Sequence, residues 1–187
     1  MSEILRQHLE KIISLTDEEF NYIFSHFTTR KLRKHQFLVQ QEDTVTNDYF
    51  VLKGLLKAYY VNHAGKEHIL QFAFEDWWVS DYQAYFNQTK ATLNIDCIEE
   101  VELLCLSLQN RDKLCAELQK IEHFFRRKGN WGYVALQRRI LSLLNDSPKE
   151  RYQQLFNLYP SLFQRVPKTL LASYLGVSRE TLSRLSS

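Results

Sequence analysis

Between Thr29 and Leu106 the chain runs in short β-branched and aromatic stretches of two-residue period. After Ser107 the apolar spacing changes to three and four and stays so. Alternation puts successive side chains on opposite faces of a strand, whereas spacings of three and four stack them on one face of a helix. A chain that keeps the two periods in separate blocks is expected to be α+β, not a series of alternating βαβ units. The alternating stretches are Gln36–Val39, Tyr49–Leu52, Leu55–Val61, His68–Ala73, Thr92–Ile95 and Val101–Leu106. Turn residues separate them at Glu42-Asp43, Lys53-Gly54, Asn62 to Gly65 and Glu75-Asp76. Short strands at this spacing predict an antiparallel β-roll, that is, a double-stranded β-helix or jelly roll.

Helical segments flank this block. Thr16-Asp17-Glu18-Glu19 is a capping box, in which Thr16 and Glu19 satisfy each other's backbone N–H groups, so a helix is expected over about 17–25 behind one over 2–13. Leu114, Leu118, Ile121 and Phe125 and then Leu136, Ile140 and Leu143 mark a helix that, if continuous over 117–145, is about 43 Å long at 1.5 Å per residue. A helix of that length with an apolar stripe buries the stripe against a partner, often its own copy, or packs its first half on the β domain. Gly129-Asn130-Trp131-Gly132 interrupts it, either as a kink or to allow close backbone approach. Ser147-Pro148 starts another helix to about Leu158, with Pro160 and Pro167 beyond.

The chain has 187 residues, 44% hydrophobic and 25% charged, enough for a packed domain and a smaller one. No apolar run approaches the ~20 residues of a membrane span, and the charged, amphipathic start does not resemble a secretion signal. The expected compartment is the cytoplasm, without a membrane partner. Cys97, Cys105 and Cys115 are odd in number and lack CxxC spacing, which fits thiols in a reducing compartment. The six histidines show no metal-ligand spacing, so no metal or cofactor is evident. The net charge of +2 conceals an uneven distribution: 11 Lys/Arg against three acids from Arg126 onward, and 13 against 19 before it. An acidic front and a basic back suit a body joined to a polyanion-binding tail.

That basic tail ends in Lys168-Thr-Leu-Leu-Ala-Ser-Tyr-Leu-Gly-Val-Ser-Arg-Glu-Thr-Leu-Ser-Arg184. Ala172 is small enough for two helices to cross, Gly176 can leave the first helix with φ > 0, Ser178 can cap the second, and Leu182 returns to the shared core. This is helix-turn-helix spacing, although αα-hairpins without a DNA role can share it. Arg179, Glu180, Thr181 and Arg184 are left facing outward. Arginine pairs bidentately with guanine and a carboxylate accepts from cytosine.

β-roll, long helix and terminal helix-turn-helix, with Gly176-Val-Ser-Arg-Glu-Thr-Leu-Ser-Arg184 at its end, resemble the CRP–FNR family of transcription regulators. The resemblance implies a β-roll sensory domain over 1–116, a dimerisation helix over 117–145 and a DNA-binding unit over 146–187. It implies a homodimer on a near-palindromic operator, with Arg179, Glu180 and Arg184 on base edges and Lys168, Thr169, Ser178 and Thr181 near phosphates. RNA polymerase is a further partner implied. Family members commonly add a β-hairpin wing, which is expected to be absent here.

The family's cyclic-nucleotide binders carry a Gly-Glu pair and an Arg-Ser/Thr-Ala triplet. Val79-Ser80 or Ser80-Asp81 falls at the first place and Lys90-Ala91-Thr92 at the second, and a lysine lacks the planar fork of arginine. This argues against cyclic AMP in the usual mode and leaves the effector open, with Trp78, Ser80, Asp81, Tyr82, Lys90, Ala91 and Thr92 marking the altered pocket. The aromatics Trp77, Trp78, Tyr82, Tyr85 and Phe86 either line such a pocket or fill a core. A rival is a small-ligand sensor whose DNA contacts ignore sequence. A cupin-like enzyme would need three clustered metal ligands that the sequence does not offer, so no catalysis is expected.

Overall fold

A computed structural model of the chain describes residues 2–185. Helix α1 (Ser2–Glu10) leads into α2 (Asp17–Phe24). The Thr16 hydroxyl accepts from the Glu19 backbone N–H while the Glu19 carboxylate accepts from that of Thr16, the expected box. The strands follow as β1 (Thr28–Leu32), β2 (Phe37–Val39), β3 (Asn47–Lys53), β4 (Leu56–Val61), β5 (Glu67–Ala73), β6 (Trp78–Val79), β7 (Asn94–Cys97) and β8 (Val101–Ser107). A short helix, α3 (Tyr82–Asn87), lies between β6 and β7.

Two four-stranded antiparallel sheets result, in the orders β1-β8-β3-β6 and β2-β7-β4-β5. Between them lie Tyr49, Val51, Leu56, Ala58, Ile95, Leu103 and Cys105. The other face of the first sheet, with Phe50, Leu52, Leu104 and Leu106, packs on Leu5, Leu9, Phe20, Ile23, Phe124 and Phe125 from helices. The other face of the second sheet, with Tyr59, Ile69 and Phe72, packs on the C-terminal helices. Central strands are therefore covered on both sides. β3 is buried without interruption from Asp48 to Leu52, where one-sided burial would alternate.

After Ser107 the chain forms α4 (Leu108–Glu117), turns at extended Leu118, and continues as α5 (Gln119–Asn145). The long helix thus starts two residues later than the spacing suggested. It runs through Gly129 and Gly132 unbroken, for about 40 Å. Its two halves differ. Ile121, Phe124 and Phe125 are buried, whereas Trp131, Tyr133, Leu136, Ile140 and Leu144 are 52–75% exposed. A Cβ on Gly129 or Gly132 would meet nothing within 4 Å, so no contact within the chain calls for either glycine.

Helices α6 (Pro148–Leu158), α7 (Leu162–Arg165), α8 (Lys168–Leu175) and α9 (Arg179–Leu185) complete the fold. Ser147 and Glu150 form a second capping box at the start of α6, with Pro148 at its first position. Among the described residues no helix is long and apolar enough to cross a membrane. Cys97, Cys105 and Cys115 are free thiols, and burial pushes the Cys97 thiol up to about 11.

Candidate nucleic-acid interface

Helices α8 and α9 are joined by a turn whose form follows from three residues. Gly176 ends α8 with φ +68 and ψ 34, and the Val177 N–H reaches back to the Ala172 carbonyl at 3.0 Å. This is a left-handed cap with the six-to-one bond of a Schellman ending. A side chain at 176 would meet only Leu143 Cδ2, at an ordinary 3.8 Å. Backbone conformation, not space, therefore calls for glycine. The Ser178 hydroxyl accepts from the Thr181 N–H at 3.1 Å, and the two hydroxyls lie 3.1 Å apart, so both side chains serve the helix start. Ala172, Leu175 and Leu182 are buried together and lock the crossing.

The opposite side of α9 is open. Arg179, Glu180 and Arg184 are exposed on it, and Lys168 and Thr169 are exposed at the start of α8. The Glu180 carboxyl is held below the usual carboxylate range by its own backbone N–H and the Ser178 hydroxyl, with Arg179 and Arg184 adding to the effect. It remains an ionised acceptor beside cationic donors. Such a surface can offer bidentate donors and one acceptor to groove edges.

The cassette over 78–92 is organised differently. Trp78, expected along a pocket, is 4% exposed within the helix-facing core; its indole donates to His8 Nε2 at 3.1 Å and carries Lys128 Nζ 3.8 Å from its ring centre. Its bulk and its single donor are both engaged there, which is the core alternative of the two sequence readings. Ser80 donates to the Asn47 carbonyl at 2.9 Å, and Tyr82 donates to buried Asp48 at 3.2 Å. Asp81, 1% exposed, accepts four hydrogen bonds: from the backbone of Ala84, Thr92 and Leu93 and from the Thr92 hydroxyl. Lys90, exposed, donates to Thr44 at 3.1 Å, and Ala91 is buried.

Of the remaining aromatics, Tyr85 is fully buried with its hydroxyl on the Leu106 carbonyl. Phe86 is 48% exposed and lines an open cleft of about 310 Å³ with Arg111, Cys115 and Phe125. Lys128 and Asp48 lie 3.9 Å apart, with Asp48 also bonded by Tyr82 of α3. Burial pushes the Lys128 amine down to about 7 and the Asp48 carboxyl up. Among the described residues no group of three or more His, Cys, Asp or Glu is arranged to hold a metal ion.

Contacts that sequence reasoning missed join the helix-turn-helix to the β-roll. Arg165 of α7 binds Glu75 and Glu99, Arg139 of α5 bonds the carbonyls of Ile69 and Tyr174, and Ser173 bonds that of Glu67. Tyr159 packs edge-on against Phe74 and Trp77. Their only trace in the sequence is the pair of acidic turns at Glu75-Asp76 and Glu99-Glu100.

Residues 29–117 match the family model described as cyclic nucleotide-binding domain. The c-di-GMP-responsive global regulator CLP of Xanthomonas campestris superposes with a TM-score of 0.72 at 14% identity, over 91% of this chain and 89% of that one. FixK2 of Bradyrhizobium japonicum gives 0.70 at 14%, over 86% and 82%. The catabolite activator protein of Thermus thermophilus gives 0.58 at 21%, over 96% and 84%. Comparison with curated proteins finds no match. The likeness is one of fold: a cyclic-nucleotide-binding β-roll and a long helix, as in regulators of the CRP–FNR family.

Proposed function

We propose that this chain is a sequence-specific DNA-binding transcription regulator of CRP–FNR type that works as a homodimer in the cytoplasm, and not an enzyme. The observation that carries this is α9, which presents Arg179, Glu180 and Arg184 to solvent while Leu182 locks its other side into the core. In this proposal residues 1–116 form the sensory body, 117–145 the dimer helix and 146–187 the DNA-binding unit. Two copies of α9 enter successive major grooves ~34 Å apart. Lys168, Thr169, Ser178 and Thr181 lie along the phosphates.

Dimerisation through the second half of α5 is supported by its exposed stripe from Trp131 to Leu144 and by two mid-helix glycines that face open space. Each such glycine costs ~1 kcal/mol relative to alanine, a cost that a closely crossing partner helix can offset. The effector region is proposed to be altered. The Asp81 carboxylate already holds the backbone N–H groups of Thr92 and Leu93, where a ligand anion would be repelled by like charge.

Selection from random double-stranded DNA, with sedimentation of the recovered complex, tests the proposal. The expected product is an inverted repeat bound by two chains. Tight small-ligand binding with DNA association that ignores sequence would overturn it in favour of a sensor module.

A further inference from the structure

Three turns converge at one end of the β-roll and build a socket of paired carboxylates. Gly54, between β3 and β4, has φ +95, and a Cβ there would lie 2.2 Å from the Glu100 carbonyl oxygen. Only glycine lets this turn press against the β7–β8 turn, where the Leu55 carbonyl accepts from Ile98 and Glu99. The Gly54 N–H in turn donates to Glu75 of the β5–β6 turn at 2.8 Å. Glu75 and Glu99 are thereby held side by side. Two carboxylates in one place repel unless a cation lies between them.

Arg165 supplies that cation with a fixed orientation. Nε and Nη2 donate to Glu99 at 2.9 and 2.6 Å, and Nη1 and Nη2 donate to Glu75 at 2.7 and 3.1 Å. Both edges of the planar guanidinium are filled by two-bond forks, which fix rotation as well as position; an ammonium has no such plane. Arg139 adds a second fixed point. It reaches from α5 to the Ile69 and Tyr174 carbonyls, both at 3.0 Å, and lies 3.6 Å over the Tyr174 ring. None of these contacts covers the exposed side of α9. The helix-turn-helix is therefore seated on the β-roll and on α5 by its rear, with its outer helix presented.

We propose that Arg165 is a positioning residue: by seating the helix-turn-helix in the Glu75–Glu99 socket it fixes α9 relative to α5, and so sets the half-site spacing that a dimer accepts. This rests on the dimeric DNA-binding function proposed above. Half-site spacing in such complexes mirrors the separation of the two outer helices. A loosened seat widens the range of separations and weakens binding at the preferred one.

The test uses full-length protein and inverted half-sites separated by spacers varied across about one helical turn, ~10 base pairs. Wild type is expected to prefer one spacing sharply. Arg165→Ala and Arg165→Lys should bind a single half-site as wild type does. At the preferred spacer they should bind about tenfold more weakly, about 1.4 kcal/mol, with neighbouring spacers rising to within a few-fold. Glu99→Gln, which keeps a hydrogen-bonding partner, should give a smaller shift in the same direction and guards against a folding defect in the alanine variant. An unchanged spacing profile in all three variants overturns the inference. So does tighter binding at every spacer, which would mean that the seat withholds α9. A wild-type protein that selects no spaced pair removes the regulator proposal itself, a different failure.

Discussion

Helix α9 and the cassette over 78–92 both carried sequence motifs for binding, and the fold uses them in opposite ways. On α9 Leu182 is buried and holds the helix in place, while Arg179, Glu180 and Arg184 are exposed on the other side and Ser178 both caps the helix and meets solvent. In the cassette Trp78, Ser80, Asp81 and Tyr82 are all occupied by internal partners. A side chain on an open face stays accessible to a partner even where, like Glu180, it also bonds within the fold, whereas one buried among internal partners does not. Motif spacing places residues near a site, and internal bonding decides whether they serve it.

The largest expected effect comes from Asp81→Ala. Removing one carboxylate leaves three buried or half-buried backbone donors without their acceptor. At ~1–3 kcal/mol for each unsatisfied buried donor, partly offset by water, the loss is about 2–4 kcal/mol. Thermal melting should fall by roughly 5–15 °C. Unchanged melting would show that the cassette is not structurally committed and would break the contrast with α9.

Arg179→Ala should behave in the opposite manner. Binding to the selected operator is expected to weaken by ~1–3 kcal/mol with relaxed preference at one base pair, while stability changes by no more than ~0.5 kcal/mol. Equal losses on operator and random DNA in a gel-shift series would remove the base-reading role. Lys168→Ala should instead weaken binding uniformly and reduce the salt slope by ~1.

The smallest effect is a pH dependence through His8. Trp78 can only donate, so His8 Nε2 accepts from it and Nδ1 donates to Asp76 at 2.6 Å. Burial lowers the His8 value below the ordinary 6.5, against the opposing pull of Asp76. The unfolded chain then binds the proton more readily. Stability is full above 6.5 and is lost as pH falls from there through the folded value. His8→Gln keeps an acceptor and a donor without titrating, so urea midpoints measured from pH 7.5 to 5 should flatten. An unaltered slope would detach Trp78 from this pairing.

How much of this was legible in the sequence depends on the reach of the determinant. The α8–α9 turn was readable because Ala172, Gly176, Ser178 and Leu182 act on neighbours within one or two turns of helix. The Thr16–Glu19 capping box and the helix start at Ser147-Pro148 were readable for the same reason, whereas the reciprocal Ser147–Glu150 box is a finding of the structure. β1 was not expected, because an edge strand reading Thr-Thr-Arg-Lys-Leu is largely exposed and shows no apolar alternation. β6 is only two residues long. The socket for Arg165 lay beyond reach altogether, its partners being 66 and 90 residues away. The aromatic cluster was visible as a cluster, but composition could not show that Tyr85 and Trp78 are core while Phe86 meets solvent.

The three tryptophans fall at three different joints. Trp77 lies against Tyr159 between β-roll and C-terminal helices, Trp78 lies beneath Lys128 beside α1, and Trp131 stands on the uncovered half of α5. The chain thus carries its own set of fluorophores, one per joint. Replacing two at a time by phenylalanine would leave single emitters. Their colour and quenching would report separately on domain seating, on the proton at Lys128 and on the second chain proposed to cover that half of α5, with no dye attached.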